Sequence, residues 1–112
     1  MRRAKVYYRD LIAGVLEETN SGFRFLYDAD YLKNPGARPI GFSFPLKYEP
    51  YESEKLFPFF EGLIPEGWYL EIASKTLKVD PEDRFGLLLA TAGHTIGAVS
   101  VHDEKAATGS GS

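Results

Sequence analysis

Cysteine is absent from the 112 residues, and histidine, methionine and tryptophan are scarce, at two, one and one. The lack of cysteine removes disulfides, thiolate nucleophiles and every zinc site built on sulfur. It fits a reducing compartment, and a cytoplasmic protein is expected. His94 and His102 lie eight positions apart, on either side of a predicted strand. They lack the i,i+4 spacing of a helical metal pair, so no metal and no cofactor is expected. No apolar run approaches the roughly 20 residues that span a bilayer. The positive start, Met1-Arg2-Arg3-Ala4-Lys5, has no apolar signal-peptide core behind it. No membrane contact is expected. Positive charge is also in deficit: 13 Lys and Arg stand against 16 Asp and Glu, a net charge of −3. That gives no general attraction to phosphate backbones, and the basic start reads as a solvated chain end.

A catalytic constellation is missing as well. Gly41-Phe42-Ser43-Phe44-Pro45 begins like a nucleophile elbow but has proline where the closing glycine belongs. Gly62-Leu63-Ile64-Pro65-Glu66-Gly67 lacks the Lys-Ser/Thr of a phosphate loop, and Pro65 removes an amide such a loop needs. Glu17-Glu18 points to opposite faces of a predicted strand, and Glu82-Asp83 lies in a predicted helix turn. Neither pair makes an acid–base dyad. Tyr7 and Tyr8, or Phe23 and Phe25, could form a stacking platform for single-stranded nucleic acid, but alternating aromatics in strands belong far more often to a core. These observations favour a binding module over an enzyme.

What the chain has in quantity is aromatic surface, 14% of its residues, within a hydrophobic share of 44%. This is enough for the core of one domain. The expected fold is α+β: a small, curved antiparallel sheet of about five strands with an N-terminal meander, and about three helices packed on it. Lys5–Arg9, Ile12–Glu18 and Phe23–Tyr27 form the meander, with turns at Asp10-Leu11 and Asn20-Ser21-Gly22. Asp28 caps a helical turn that Asn34-Pro35-Gly36 ends. Ile40–Phe44 reads as an extended edge segment with Phe42 and Phe44 on one side, between Pro39 and Pro45. Lys47–Tyr51 reads as loop. Ser53 is placed to cap a helix with Leu56, Phe59, Phe60 and Leu63 on one face, kinked or begun at Pro58 and closed by Gly62 and Pro65. A second helix should run from Glu66 or Gly67 to Leu77. A third should start with Asp80 as N-cap and Pro81 at N1, bury Phe85, Leu88, Leu89 and Ala92, and stop at Gly93. Ile96–Val101 returns as the last strand. The domain is expected to span 1–103, with 104–112 a flexible tail or linker.

The densest stretch is Phe57–Trp68, FPFFEGLIPEGW. Its apolar half should be core, and its Pro-Glu-Gly-Trp end a turn that presents a large ring. At 100° per residue, Tyr69, Ile72, Ala73, Thr76 and Leu77 gather on one side, and Glu71, Ser74, Lys75 and Lys78 on the other. Trp68 falls nearer the polar group. Two readings are open: an exposed ring of interface hot-spot type, or a ring that folds back onto the core. The first makes Pro65, Glu66, Gly67, Trp68, Glu71 and Lys75 candidate partner-binding residues.

Several segments, in order, carry a family resemblance. They are Val6-Tyr7-Tyr8 with Ala13-Gly14-Val15-Leu16, Tyr27–Leu32, Ala37-Arg38-Pro39-Ile40, Phe44-Pro45-Leu46, Leu56–Gly67, Asp83–Leu88 and Ile96–Val99. Over about residues 4–102 the chain resembles the N-terminal subdomain that opens HipA-type serine/threonine kinase toxins. One departure is His94, where family members often carry an acidic residue. Because the sequence stops after that subdomain, the chain is also similar to the small HipS-type antitoxins of three-component HipBST systems. That resemblance implies a HipT-like kinase toxin as partner, a HipB-like helix-turn-helix protein in a ternary complex through the kinase, and no direct nucleic-acid contact. The alternative it leaves open is a non-catalytic N-terminal piece of a full-length HipA-like kinase.

Overall fold

Alternation of large apolar and polar residues sets the strands, and the computed structural model shows how they pair. It describes residues 1–67, 71–72, 75–76, 78–92 and 98–104. β1 (Arg3–Tyr8), β2 (Leu11–Thr19) and β3 (Gly22–Tyr27) form the expected antiparallel meander. β4 (Tyr51–Ser53) pairs with β3, and β5 (Val99–Asp103) returns to pair with β1. The strand order is β4-β3-β2-β1-β5, with every neighbour antiparallel. Three helices are described: α1 (Ala29–Lys33), α2 (Pro58–Glu61) and α3 (Arg84–Thr91). The predicted helix between α2 and α3 falls largely on residues outside the described set, as do Gly93 and His94.

The register separates the two faces. Ala4, Leu16 and Phe25 align across β1, β2 and β3, as do Val6, Gly14 and Tyr27, and all point into the core. A bulge at Ala13 turns two successive β2 residues, Ala13 and Gly14, inward and bends the sheet. Gly14 has to lack a side chain: a Cβ there would lie 2.3 Å from the Leu26 carbonyl oxygen and 2.9 Å from the Phe25 ring. The opposite face is charged, with Glu17 bridging Arg3 at 3.1 Å and Arg24 at 2.8 Å. The separation of Glu17 and Glu18 onto opposite faces is as expected. Tyr7 and Tyr8 likewise point to opposite faces, and Phe25 is fully buried, so these rings make no common stacking platform.

Phe44 is the centre of the aromatic core. Its ring lies 4.9–5.8 Å from those of Phe25, Tyr51, Phe57, Phe59 and Phe60. Edge-to-face packing of this kind adds to the burial term. α3 joins the core through Phe85, Leu87 and Leu88, with Phe85 edge-on to Phe23 at 5.7 Å.

Four sequence expectations are corrected. Ile40–Phe44 is a bend followed by a turn, not a strand, and Phe42 and Phe44 do not share a side: Phe44 is buried and Phe42 fully exposed. The cause is Tyr27. Its hydroxyl accepts the Ile40 N–H at 3.0 Å and donates to the Phe44 carbonyl, folding the segment back on itself. Burial pushes the Tyr27 phenol up to about 12. The edge strand is instead Tyr51–Ser53, drawn in by the packing of Tyr51 on Phe44 and Phe25. Ser53 therefore lies in a strand and caps no helix. Its hydroxyl accepts the Lys55 N–H, and α2 begins at Pro58 with no side-chain cap. Finally, α3 starts three residues later than predicted. Asp80 holds only a turn, accepting from Glu82 N–H, while Asp83 is the N-cap and accepts from Gly86 N–H at 3.0 Å.

Candidate protein-interaction surface

The candidate residues follow directly on buried core. Ile64 is 3% exposed, Pro65 half-buried, and Glu66 and Gly67 are exposed. The chain thus leaves the core within three residues. Gly67 has φ +65, a conformation other residues rarely adopt, and an added Cβ would meet nothing within 4 Å. The glycine serves the backbone turn, not a tight contact. Trp68 lies outside the described residues. Further on, Glu71 and Lys75 are helical, exposed and paired at 3.4 Å, as their i,i+4 spacing allows. Ile72 between them is half exposed, on a side the helical projection gave to the core.

Two ion-pair ties hold the ends of the 62–83 segment. Glu61, the last residue of α2, accepts from Arg84, the first residue of α3, at 3.1 and 3.2 Å. Beside it, Arg2 forks onto two carboxylates. It reaches Glu18 twice at 2.9 Å and Asp83 at 2.7 and 2.8 Å, and its Cζ lies 5.3 Å from the centre of the Phe85 ring. Hydrogen bonds from Arg2 hold both the Glu18 and Asp83 carboxyls below their usual range. The two acids in turn raise the guanidinium still further. The basic start is therefore a structural tie, not a solvated end. Sequence reasoning missed this because residues 2, 18 and 83 meet only in three dimensions. Asp83 is the acid of Glu82-Asp83 that matters, and its work is capping and pairing.

Among the described residues no group of His, Cys, Asp or Glu could hold a metal ion, and no buried side-chain polar atom lacks a partner. His102 packs edge-on against Tyr7 at 5.1 Å and lies 3.0 Å from Ser100 Oγ. Among the described residues, no helix is long and apolar enough to cross a membrane. Within the described residues, the polar groups inside are satisfied, and the segment ending at Gly67 is carried outward from an aromatic core.

Comparison with known proteins gives that domain its family. The HipA N-terminal domain description matches residues 4–102, and the chain belongs to this family. An uncharacterized protein of Haemophilus influenzae is 35% identical over 105 residues, which span 94% of this chain and 95% of that protein. A candidate kinase of Sinorhizobium fredii, Y4mE, is 29% identical over 105 residues, covering 93% of this chain but 25% of Y4mE. Among solved structures, an N-terminal domain of HipA toxin superposes with a TM-score of 0.70 at 33% identity, covering 93% of both chains. The sequence thus corresponds to the HipA N-terminal domain and not to a kinase catalytic domain.

Proposed function

We propose that this chain is an antitoxin that binds and inhibits a HipT/HipA-like serine/threonine kinase toxin in the cytoplasm. The carrying observation is the contrast between two relatives. The same domain makes up a quarter of a candidate kinase and nearly the whole of the H. influenzae protein. A domain that packs on a kinase in one setting keeps a surface suited to that kinase when it is made separately. In this reading the inhibitor binds the kinase N-lobe and holds the active site in a non-productive state. Pro65, Glu66, Gly67, Trp68, Glu71 and Lys75 form the contact, and Trp68 enters at or near the nucleotide cleft. A HipB-like DNA-binding protein joins the complex through the kinase.

The second reading has its own support in Y4mE: a non-catalytic structural N-terminal piece of a full-length HipA-like kinase. Co-expression separates the two. Growth arrest caused by a cognate kinase lacking this domain should be relieved by this chain without any HipB-like protein. Persistent arrest, with both proteins soluble, favours the structural reading.

A further inference from the structure

We propose that the cleft beside Phe42 is a second docking surface, which takes an apolar side chain flanked by a carboxylate on the cognate kinase. The inference rests on the proposed kinase partnership, but on residues remote in sequence from the Trp68 segment.

Phe42 is fully exposed, although the residues two positions to either side, Ile40 and Phe44, are 5% and 1% exposed. A loop that simply failed to pack would not have both flanks in the core. This one is braced. The Tyr31 hydroxyl donates to the Arg38 carbonyl at 2.6 Å and accepts the Arg38 N–H at 3.1 Å. The Tyr27 hydroxyl holds Ile40 and Phe44 in the same way. Phe59 covers Gly41 so closely that a Cβ there would lie 2.7 Å from its ring. The exposed ring is thus held out by a fixed backbone, and little ordering remains to oppose binding. Beside it opens a cleft of about 420 Å³, lined by Tyr8, Arg38, Pro39, Gly41, Phe42 and Pro45. An apolar cleft next to a protruding aromatic has the composition of an interface centre.

Charge identifies what fits. Four of the six arginines, Arg2, Arg3, Arg24 and Arg84, are ion-paired within the chain. The other two are Arg38, on the cleft, and Arg9, whose guanidinium lies over the Tyr8 ring at 5.8 Å. Neither has a carboxylate partner among the described residues, in a chain whose acids outnumber its bases by 16 to 13. The ligand group that completes them is a carboxylate next to an apolar side chain. The kinase is favoured over a second copy of this chain on two grounds. Copies with a net charge of −3 repel one another. In Y4mE, moreover, the domain has three-quarters of a longer protein to pack against.

The test is titration calorimetry and stopped-flow binding of this chain to the cognate kinase, using wild type, Phe42→Ala and the double variant Arg9→Ala/Arg38→Ala. Phe42→Ala should keep the wild-type melting temperature and bind about 30-fold more weakly or worse. The double variant should associate about tenfold more slowly at low salt, with the difference vanishing near 0.5 M salt. If wild type binds and both variants bind within about twofold of it, the cleft is not a docking surface, although the kinase partnership stands. If wild type does not bind the kinase, both proposals fall. If light scattering shows a wild-type dimer that Phe42→Ala abolishes, the occupant is a second copy and this proposal is overturned.

Discussion

A guanidinium that forks onto two carboxylates keeps both of them charged at pH values where isolated acids begin to protonate. Arg2 does this to Glu18 and Asp83, whose ordinary values are 4.5 and 3.8 and whose folded values lie below these. A folded value below the unfolded one stabilises the native state above the unfolded value and loses that stabilisation as pH falls through the folded value. The tie should therefore be complete near neutrality and weaken from about pH 4.5 downward. Arg2→Ala should cost about 1–2 kcal/mol at pH 7, discounted for a side chain 40% exposed. The gap to wild type should narrow towards about pH 3, where two unpaired acids no longer repel. Urea unfolding at the two pH values measures this, and a pH-independent gap would remove the electrostatic account. Trp68 belongs to the same scale. As an interface anchor, Trp68→Ala should leave melting nearly unchanged and weaken kinase binding by roughly 2 kcal/mol or more. As core, it should cost about 3–5 kcal/mol of stability with affinity per folded molecule intact.

At the scale of elements, the start of α3 shows how far sequence reading reaches. Asp80-Pro81-Glu82-Asp83 offers two aspartates that could each cap a helix, and local rules favour the one followed by proline. The fold selects Asp83, because the Arg2 fork and the Gly86 amide both converge on it. Asp83→Ala should therefore destabilise the protein by about 2 kcal/mol, and Asp80→Ala by well under 1 kcal/mol. Equal losses in thermal unfolding would restore Asp80 as the effective cap. The meander, by contrast, was legible in outline, because its register follows from alternation and its turns from Asn20-Ser21 and glycine. β4 was not legible. Three residues are too few for a period, and Tyr51–Ser53 becomes a strand through long-range packing on Phe44. Ile40–Phe44 looks extended by its alternation, and the Tyr27 hydrogen bonds that fold it back and leave Phe42 exposed are equally long-range.

For the whole molecule, family membership follows from motifs whose order could be read from the sequence alone, while the surfaces that would meet a partner could be read only in part. The left-handed backbone at Gly67 could be anticipated from its residue type, and the placing of Glu71 and Lys75 on one side from their spacing. The Phe42 cleft could not, since Tyr8, Arg38 and Pro45 come together only when β1 and the 38–45 loop are folded. A chain that corresponds to an N-terminal domain without a catalytic domain should transfer no phosphate. Incubation of the purified protein with labelled ATP and a generic acceptor should give no labelled product. Turnover that copurifies with the chain and disappears on a point mutation within it would overturn that expectation.

The order of synthesis adds a consequence of the strand order. β1 sits between β2 and β5, yet β5 pairs with it across roughly 90 intervening residues. On the ribosome, β1 and β2 can close early, but one side of β1 stays open until Val99–Asp103 has been made. At about 5–20 residues per second that interval is about 5–20 s. A chain still being translated therefore carries an unpaired strand edge at what will become the interior of its sheet. Such a nascent chain is exposed to proteases and to mispairing. Closure of the sheet then depends on translation reaching β5, and a ribosome stalled before Val99 leaves β1 open on one side.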